Sequence, residues 1–446
     1  MLTERDIEEG DPLRLDRAIA ELSRAVRTWR RRLRHGEGLD GDPFIVERLV
    51  ATRAAFVVVS EFPESDPLKH PLLRVIYRLA EERINLRVLV AIAAERHHVP
   101  HVVSDPERVR SSLHDFLARA LAEPKRREAW LESYVASAEN LSEAVVLLWE
   151  RRAEVATRMG VSSLDALEGA GPDVAEAASR WLDRTNDMFA DLAPETLGAL
   201  VDLALASDAN EGLPRHLSPS TILDLFRDGD LFRSLSLDVD ELPTPYGAAS
   251  FLRALGDVGA AWTDATAPRD QPYVVAHDPY GLRRRTTGAL FAGLFGNDRF
   301  VKRSLGVDPS RLAKHRRAIA AAALIESRKA ALRVVLKPAA LEGRRAFRDA
   351  FEAEVYRTFG LRVPPERAGA LFGLHVDDAQ RFAAIVLASR QSDVLRELHD
   401  DDWYRNPRAI EQLRDESRRS PETVTTADAL AAGSDALYAS LTDALG

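Results

Sequence analysis

Ser250-Phe251-Leu252-Arg253-Ala254-Leu255-Gly256-Asp257-Val258-Gly259-Ala260-Ala261-Trp262 spaces its large apolar side chains as an α-helix does. Phe251, Leu255, Val258 and Trp262 follow one another at steps of four, three and four. That spacing predicts one stripe facing a core. Arg253 and Asp257 are four apart on another face, within reach of an ion pair. Gly256 and Gly259 stand inside the same helix, where each costs about 1 kcal/mol relative to alanine. Glycines held at that cost predict that another backbone or a ligand comes close.

The helical period recurs on both sides of this segment. Leu15, Ile19, Leu22, Val26 and Trp29 fall at steps of three and four and end in the basic turn Arg30-Arg31-Arg32, which suits a helix C-terminus. Helices are predicted over about 71–95, 105–121, 127–159 with Gly160 as its C-cap, 172–192, 282–295, 309–336, 343–359 and 376–398. Pro214, Pro219, Pro243 and Pro245 predict a loop-rich stretch. The best strand signal is the short run Tyr273-Val274-Val275-Ala276. The expected fold is therefore all-α with minimal strand content. It divides into an N-terminal helical region, 1–145, and a second helical region, 146–446, or forms one continuous domain.

Composition narrows the function classes. The 446 residues carry a formal net charge of -9, which argues against nonspecific nucleic-acid binding. There is no cysteine, so disulfides, cysteine-ligated zinc, iron–sulfur clusters and thiol catalysis are excluded. No run approaches the ~18 apolar residues of a membrane span, and Met1-Leu2-Thr3-Glu4-Arg5-Asp6 has no signal-peptide core. A cytoplasmic location without membrane association is expected. Six of the 61 basic residues are lysine. That fits a GC-rich coding bias and weakens any single arginine cluster as a sign of an anion site.

No phosphate-binding loop, dinucleotide fingerprint, nucleophile elbow or intact H-E-x-x-H occurs. His97, His98 and His101 form the densest histidine group, with Pro100 between them. They read as a polar helix terminus.

The segment 250–262 resembles the active-site helix of the thimet oligopeptidase and oligoendopeptidase F family of zinc peptidases, which reads roughly F-L-H-E-x-G-H-A-x-H. On that overlay Arg253 holds the first histidine place, Ala254 the catalytic glutamate place and Asp257 the second histidine place. Gly256 matches the family glycine. The family's next helix supplies a zinc-binding glutamate. Here the matching stretch, Asp278 to Phe295, has no carboxylate after Asp278 and carries Arg283, Arg284 and Arg285. Trp149, Arg152, Ala156 and Gly160 upstream, and Asp377 to Leu398 with Asp402 to Arg408 downstream, extend the resemblance over about residues 146–430. It implies a large multi-helix clamshell with a central cleft. Arg253 cannot bind a cation and Ala254 has no proton to move, so zinc is expected to be absent and no catalytic residue intact.

The first expectation for function is thus a metallopeptidase-like protein without catalysis. It would bind a peptide or protein partner in a helical cleft through Arg253, Asp257, His277, Arg283, Arg284 and Arg285. A helical scaffold unrelated to peptidases is the second reading. An active hydrolase with Asp257, His277 and Asp278 around a metal is the third. In the first reading Arg253 and Asp257 pair where the family places its metal.

Overall fold

The computed structural model describes residues 2–34, 37, 40–97, 99–100, 110–111, 127–164, 167, 172–192, 224–226, 235, 248–277, 281–372, 376–418 and 426–446. These hold seventeen α-helices. The one strand pairing among the described residues is the antiparallel bridge of Val99–Pro100 with Arg110–Ser111. The fold is all-α.

The helices are α1 (Glu4–Glu9), α2 (Pro12–Arg34), α3 (Arg53–Ser60), α4 (Lys69–Ile84), α5 (Leu86–His97), α6 (Arg127–Met159), α7 (Pro172–Arg184) and α8 (Asn186–Ala190). After the loop-rich stretch come α9 (Ala248–Thr266), α10 (Tyr273–Ala276), α11 (Leu282–Gly293), α12 (Asp298–Ser304), α13 (Leu312–Glu342), α14 (Arg344–Phe359), α15 (Asp378–His399), α16 (Pro407–Arg418) and α17 (Ala427–Leu445). The helix predicted over 105–121 and the prolines from Pro214 to Pro245 lie outside the described residues.

The two stripes read from the sequence are buried. Phe251, Leu255, Val258 and Trp262 have no exposed surface, and Leu15, Ile19, Leu22 and Val26 have at most 1%. Gly160 closes α6 in the left-handed conformation, at φ 79°. The single helix predicted over 71–95 is instead two, α4 and α5, meeting at Asn85. There the buried Asn85 amide donates to Glu81 Oε1 at 2.9 Å, and Arg152 of α6 donates to the same oxygen at 3.0 Å. This tertiary contact overrides the local preference for one continuous helix.

The strand expected at Tyr273–Ala276 is a helical turn. Its cause lies far away in sequence. The buried Asp16 carboxylate of α2 accepts from the Tyr273 N–H at 2.8 Å and from the Val274 N–H at 2.9 Å. A carboxylate placed on two unpaired N–H groups at a helix start fixes the turn.

α13 is the axis of the molecule and packs against α6, α7, α14, α15 and α17. Its Arg328 is 1% exposed. The guanidinium donates to Leu182 O at 2.7 Å, to Asn186 Oδ1 at 2.8 Å, to Thr358 O at 3.1 Å and to Thr185 Oγ1. The two carbonyl acceptors lie at the C-terminal ends of α7 and α14, where helix dipoles favour a cation, and Asn186 opens α8. Burial pulls this guanidinium down to about 10, with Arg357 adding to the fall and Asp183 opposing it. It stays charged at neutral pH.

The glycines of α9 serve a helix crossing. A Cβ on Gly259 would stand 2.7 Å from the Thr287 carbonyl oxygen of α11. One on Gly288 of α11 would stand 2.8 Å from the Gly256 carbonyl oxygen. The two backbones touch, and α11 also packs on α15. Gly259→Ala and Gly288→Ala are each expected to destabilise the protein by roughly 1–3 kcal/mol through overpacking. Denaturant unfolding measures it; a loss below the alanine-propensity gain would show that the helices separate freely.

Candidate functional site

The predicted site residues fall into separate groups. Arg253 and Asp257 are both exposed on α9, whereas Ala254 between them has no exposed surface and belongs to the core with Phe251, Leu255 and Trp262. Consecutive helix positions turn by about 100°. The place that would carry a general base therefore points into the core.

Arg283, Arg284 and Arg285 diverge for the same reason. Arg283 donates to Ala276 O at 2.9 Å. Arg284 donates to Asp264 Oδ2 at 3.1 Å, an oxygen that Arg27 of α2 also approaches at 3.2 Å. Arg285 pairs with Asp377, the residue that opens α15. His277 stacks on Tyr273, rings 4.4 Å apart. Its buried Nδ1 has no hydrogen-bond partner. Burial lowers its pKa, Asp264 opposes the fall, and Arg27 and Arg24 add to it. The structure thus gathers Arg284 and His277 around Asp264, at the join with α2, and sends Arg285 elsewhere.

Asp278 and the side chains of His97, His98 and His101 lie outside the described residues. Among the described residues no three histidine, aspartate or glutamate side chains come together as a metal-holding group. An open hollow of about 600 Å³ is lined by Leu235, Thr266, Arg269, Gln271 and Arg414 among others. None of the predicted site residues borders it.

The richest charge constellation was not singled out in the sequence. Glu326, Lys329, Arg333 and Lys337 follow one another on α13 at steps of three, four and four, hence on one face. Lys329 Nζ pairs with Glu326 Oε1 at 2.6 Å. Arg333 Nε donates to Leu371 O at 3.0 Å. Glu326 keeps 56% of its side chain accessible, while Lys329 and Lys337 are only 5% and 3% exposed. Along this lane of about 16 Å, at 1.5 Å per residue, Glu326 is open, Lys329 and Lys337 are buried and Arg333 is half-buried.

Burial is the largest influence on the Glu326 carboxyl and pushes it up, although Lys329, Arg333 and Arg253 together hold it below the usual range. Arg253 of α9 is among the cations that act on it.

At its inner end the lane meets the start of α15. Asp377 is held by Arg285, by Arg381 at 3.4 Å and by Arg78 of α4 at 3.8 Å. Burial lowers the Arg285 guanidinium to about 10, Asp377 opposing and Arg381 and Arg78 adding to the fall. Asp378 is 1% exposed, and neither of its oxygens has a hydrogen-bond partner. Burial raises its pKa against the pull of Arg333, Arg381 and Lys337, with Asp377 adding to the rise.

No protein-family model matches the chain, and no curated protein does. Among solved structures it is similar to oligoendopeptidase-F from Enterococcus faecium, at a TM-score of 0.47 and 10% identity over 99% of each chain. At that score the likeness decides nothing about function, which rests on the chain's own residues.

Two stability tests follow from these placements. Arg253→Met and Asp257→Asn are each expected to cost under about 1 kcal/mol, because both side chains are exposed. A double-mutant cycle with strong coupling would instead place them in a tightly structured site. Asp378 behaves oppositely. Its native pKa is raised, so the native state binds more protons than the unfolded chain, and stability falls as pH rises through the carboxylate range. Asp378→Asn should be more stable than wild type at neutral pH and lose that advantage below the usual carboxylate range. Urea unfolding at both pH values checks it, and equal stabilities throughout would mean that Asp378 is well solvated.

Proposed function

We propose that this protein binds an acidic peptide, free or as a segment of a partner protein, beside the charged lane of α13, and does not hydrolyse it. The carrying observation is the lane Glu326–Lys329–Arg333–Lys337, in which an accessible carboxylate is followed on one helix face by two buried lysines and a half-buried arginine. Arg253, Arg333, Lys337, Arg381, Arg285 and Arg78 outnumber Asp257, Glu326, Asp377 and Asp378. Partly desolvated cations attract a negatively charged ligand more strongly than they would on an open surface.

The residues of the zinc-peptidase motif favour binding over catalysis. Arg253 is a permanent cation, Ala254 is a core residue, and Asp257 is an exposed carboxylate. A metal-activated water needs protein ligands and a base around one point, and these three positions supply neither. No bound zinc is expected.

Purified protein should carry no stoichiometric zinc by elemental analysis and leave generic peptide substrates uncut. It should bind acidic peptides with an affinity that falls steeply with added salt. Chelator-sensitive turnover by a clean preparation would overturn the reading, as would binding indifferent to peptide charge.

A further inference from the structure

The hollow of about 600 Å³ is walled mainly by one run of chain: seven of its lining residues are consecutive, Ala265 to Gln271, and Arg414 of α16 is among the rest. Both ends of that run are fastened to the same helix, α2. At the entry, Asp264 Oδ2, in the last turn of α9, accepts from Arg27 Nη1 at 3.2 Å. At the exit, the Asp16 carboxylate accepts from the Tyr273 N–H at 2.8 Å and from the Val274 N–H at 2.9 Å. Val274 itself is fully buried in the core formed with the N-terminal helices. α11 grips the same two ends from its own side, through Arg284 on Asp264 at 3.1 Å and Arg283 on Ala276 O at 2.9 Å.

The fixed ends contrast with the middle. Asp16 is 6% exposed, whereas Arg269 and Asp270 stand exposed. The positions 16 and 27 lie about 16 Å apart along α2, at 1.5 Å per residue. The chain from 264 to 273 spans about 30 Å when extended. The run is longer than its anchorage requires, so it bows, and the bow forms the wall of the hollow.

We propose that residues 265–272 form a strap that sets the shape of this hollow, and that α2 governs the strap because a shift of that one helix moves both ends together. This conformational device does not depend on the acidic-peptide reading. Losing either α2 contact leaves one end held by α11 alone and lets the strap swing. The coupling is reciprocal: a ligand that fixes the strap from within the hollow tightens the docking of α2.

The experiment is hydrogen exchange of the full chain read by mass spectrometry, together with labelling of one introduced thiol. The chain has no cysteine, so Ala267→Cys reports access to the hollow wall alone. In the otherwise unchanged chain, the Tyr273 and Val274 amides should be protected. Arg27→Gln and Asp16→Asn should each speed exchange over 265–276, and maleimide labelling at position 267, by about tenfold or more, the loss of one hydrogen bond to a charged group. Exchange over α13 should stay as it is. Arg27 keeps 36% of its side chain accessible, so its variant carries the test should Asp16→Asn not fold. Unchanged exchange and labelling in the folded variants would show that α9 and α11 set the strap without α2. Faster exchange over the strap and α13 alike would show one cooperative unit with no separate strap. Either result overturns the proposal.

Discussion

α13 carries charged residues on the faces it packs against its neighbours, although Glu326 stays accessible, and the surrounding structure is arranged around those buried charges. Arg328, Lys329 and Lys337 are all at most 5% exposed. An unanswered buried charge costs several kcal/mol, so each must be met by groups of a neighbouring element. Arg328 shows one solution. It draws carbonyls from the last turns of α7 and α14 and places a cation where two helix dipoles end. No carboxylate is needed, and three helices are locked to one side chain.

The opposite face of α13 follows another solution. Lys329 is met by Glu326, and Arg333 by a backbone carbonyl next to the start of α15. That start is pinned by Arg285 through Asp377. Arg285 reaches it because α11 is pressed between α9 and α15. The close packing on the α9 side requires Gly259 and Gly288. A chain of contacts thus links Gly259 of α9 to the charges of α13 through rigid helices rather than loops. If these charges bind a ligand as proposed, they are ordered before it arrives, which lowers the entropic cost of association.

The apolar stripes, the helix termini and the all-α class were legible in the sequence because each is a local, periodic property. What depended on distant partners was not. Tyr273–Ala276 looks β-forming over four residues and becomes helical because Asp16 caps it from 257 positions away. Arg283, Arg284 and Arg285 look like one cluster on paper, yet their three directions give them three different partners. The lane on α13 was hidden differently. Charges at steps of three and four on a helix usually mark a solvated face. The contrary signal was present. Ile319, Leu324, Ile325, Leu332, Val334 and Leu336 spread around most of the helix, leaving only a narrow strip, the one that holds Glu326, for water.

The same geometry bears on how a peptidase-like motif could be read in α9. Arg253 and Asp257 are exposed while Ala254 is sealed in the core. A glutamate at 254 would need the helix to turn by roughly 100° to reach the face that Arg253 occupies. The backbone contact of Gly259 with Thr287 and of Gly256 with Gly288 leaves no room for that rotation. Turning the helix would also carry Phe251, Leu255 and Trp262 out of the core, each a fully buried side chain whose exposure costs about 1.5–3 kcal/mol. The face that α9 leaves outside the core is therefore fixed by packing, and the chemistry available there is that of Arg253 and Asp257, an exposed cation and an exposed anion.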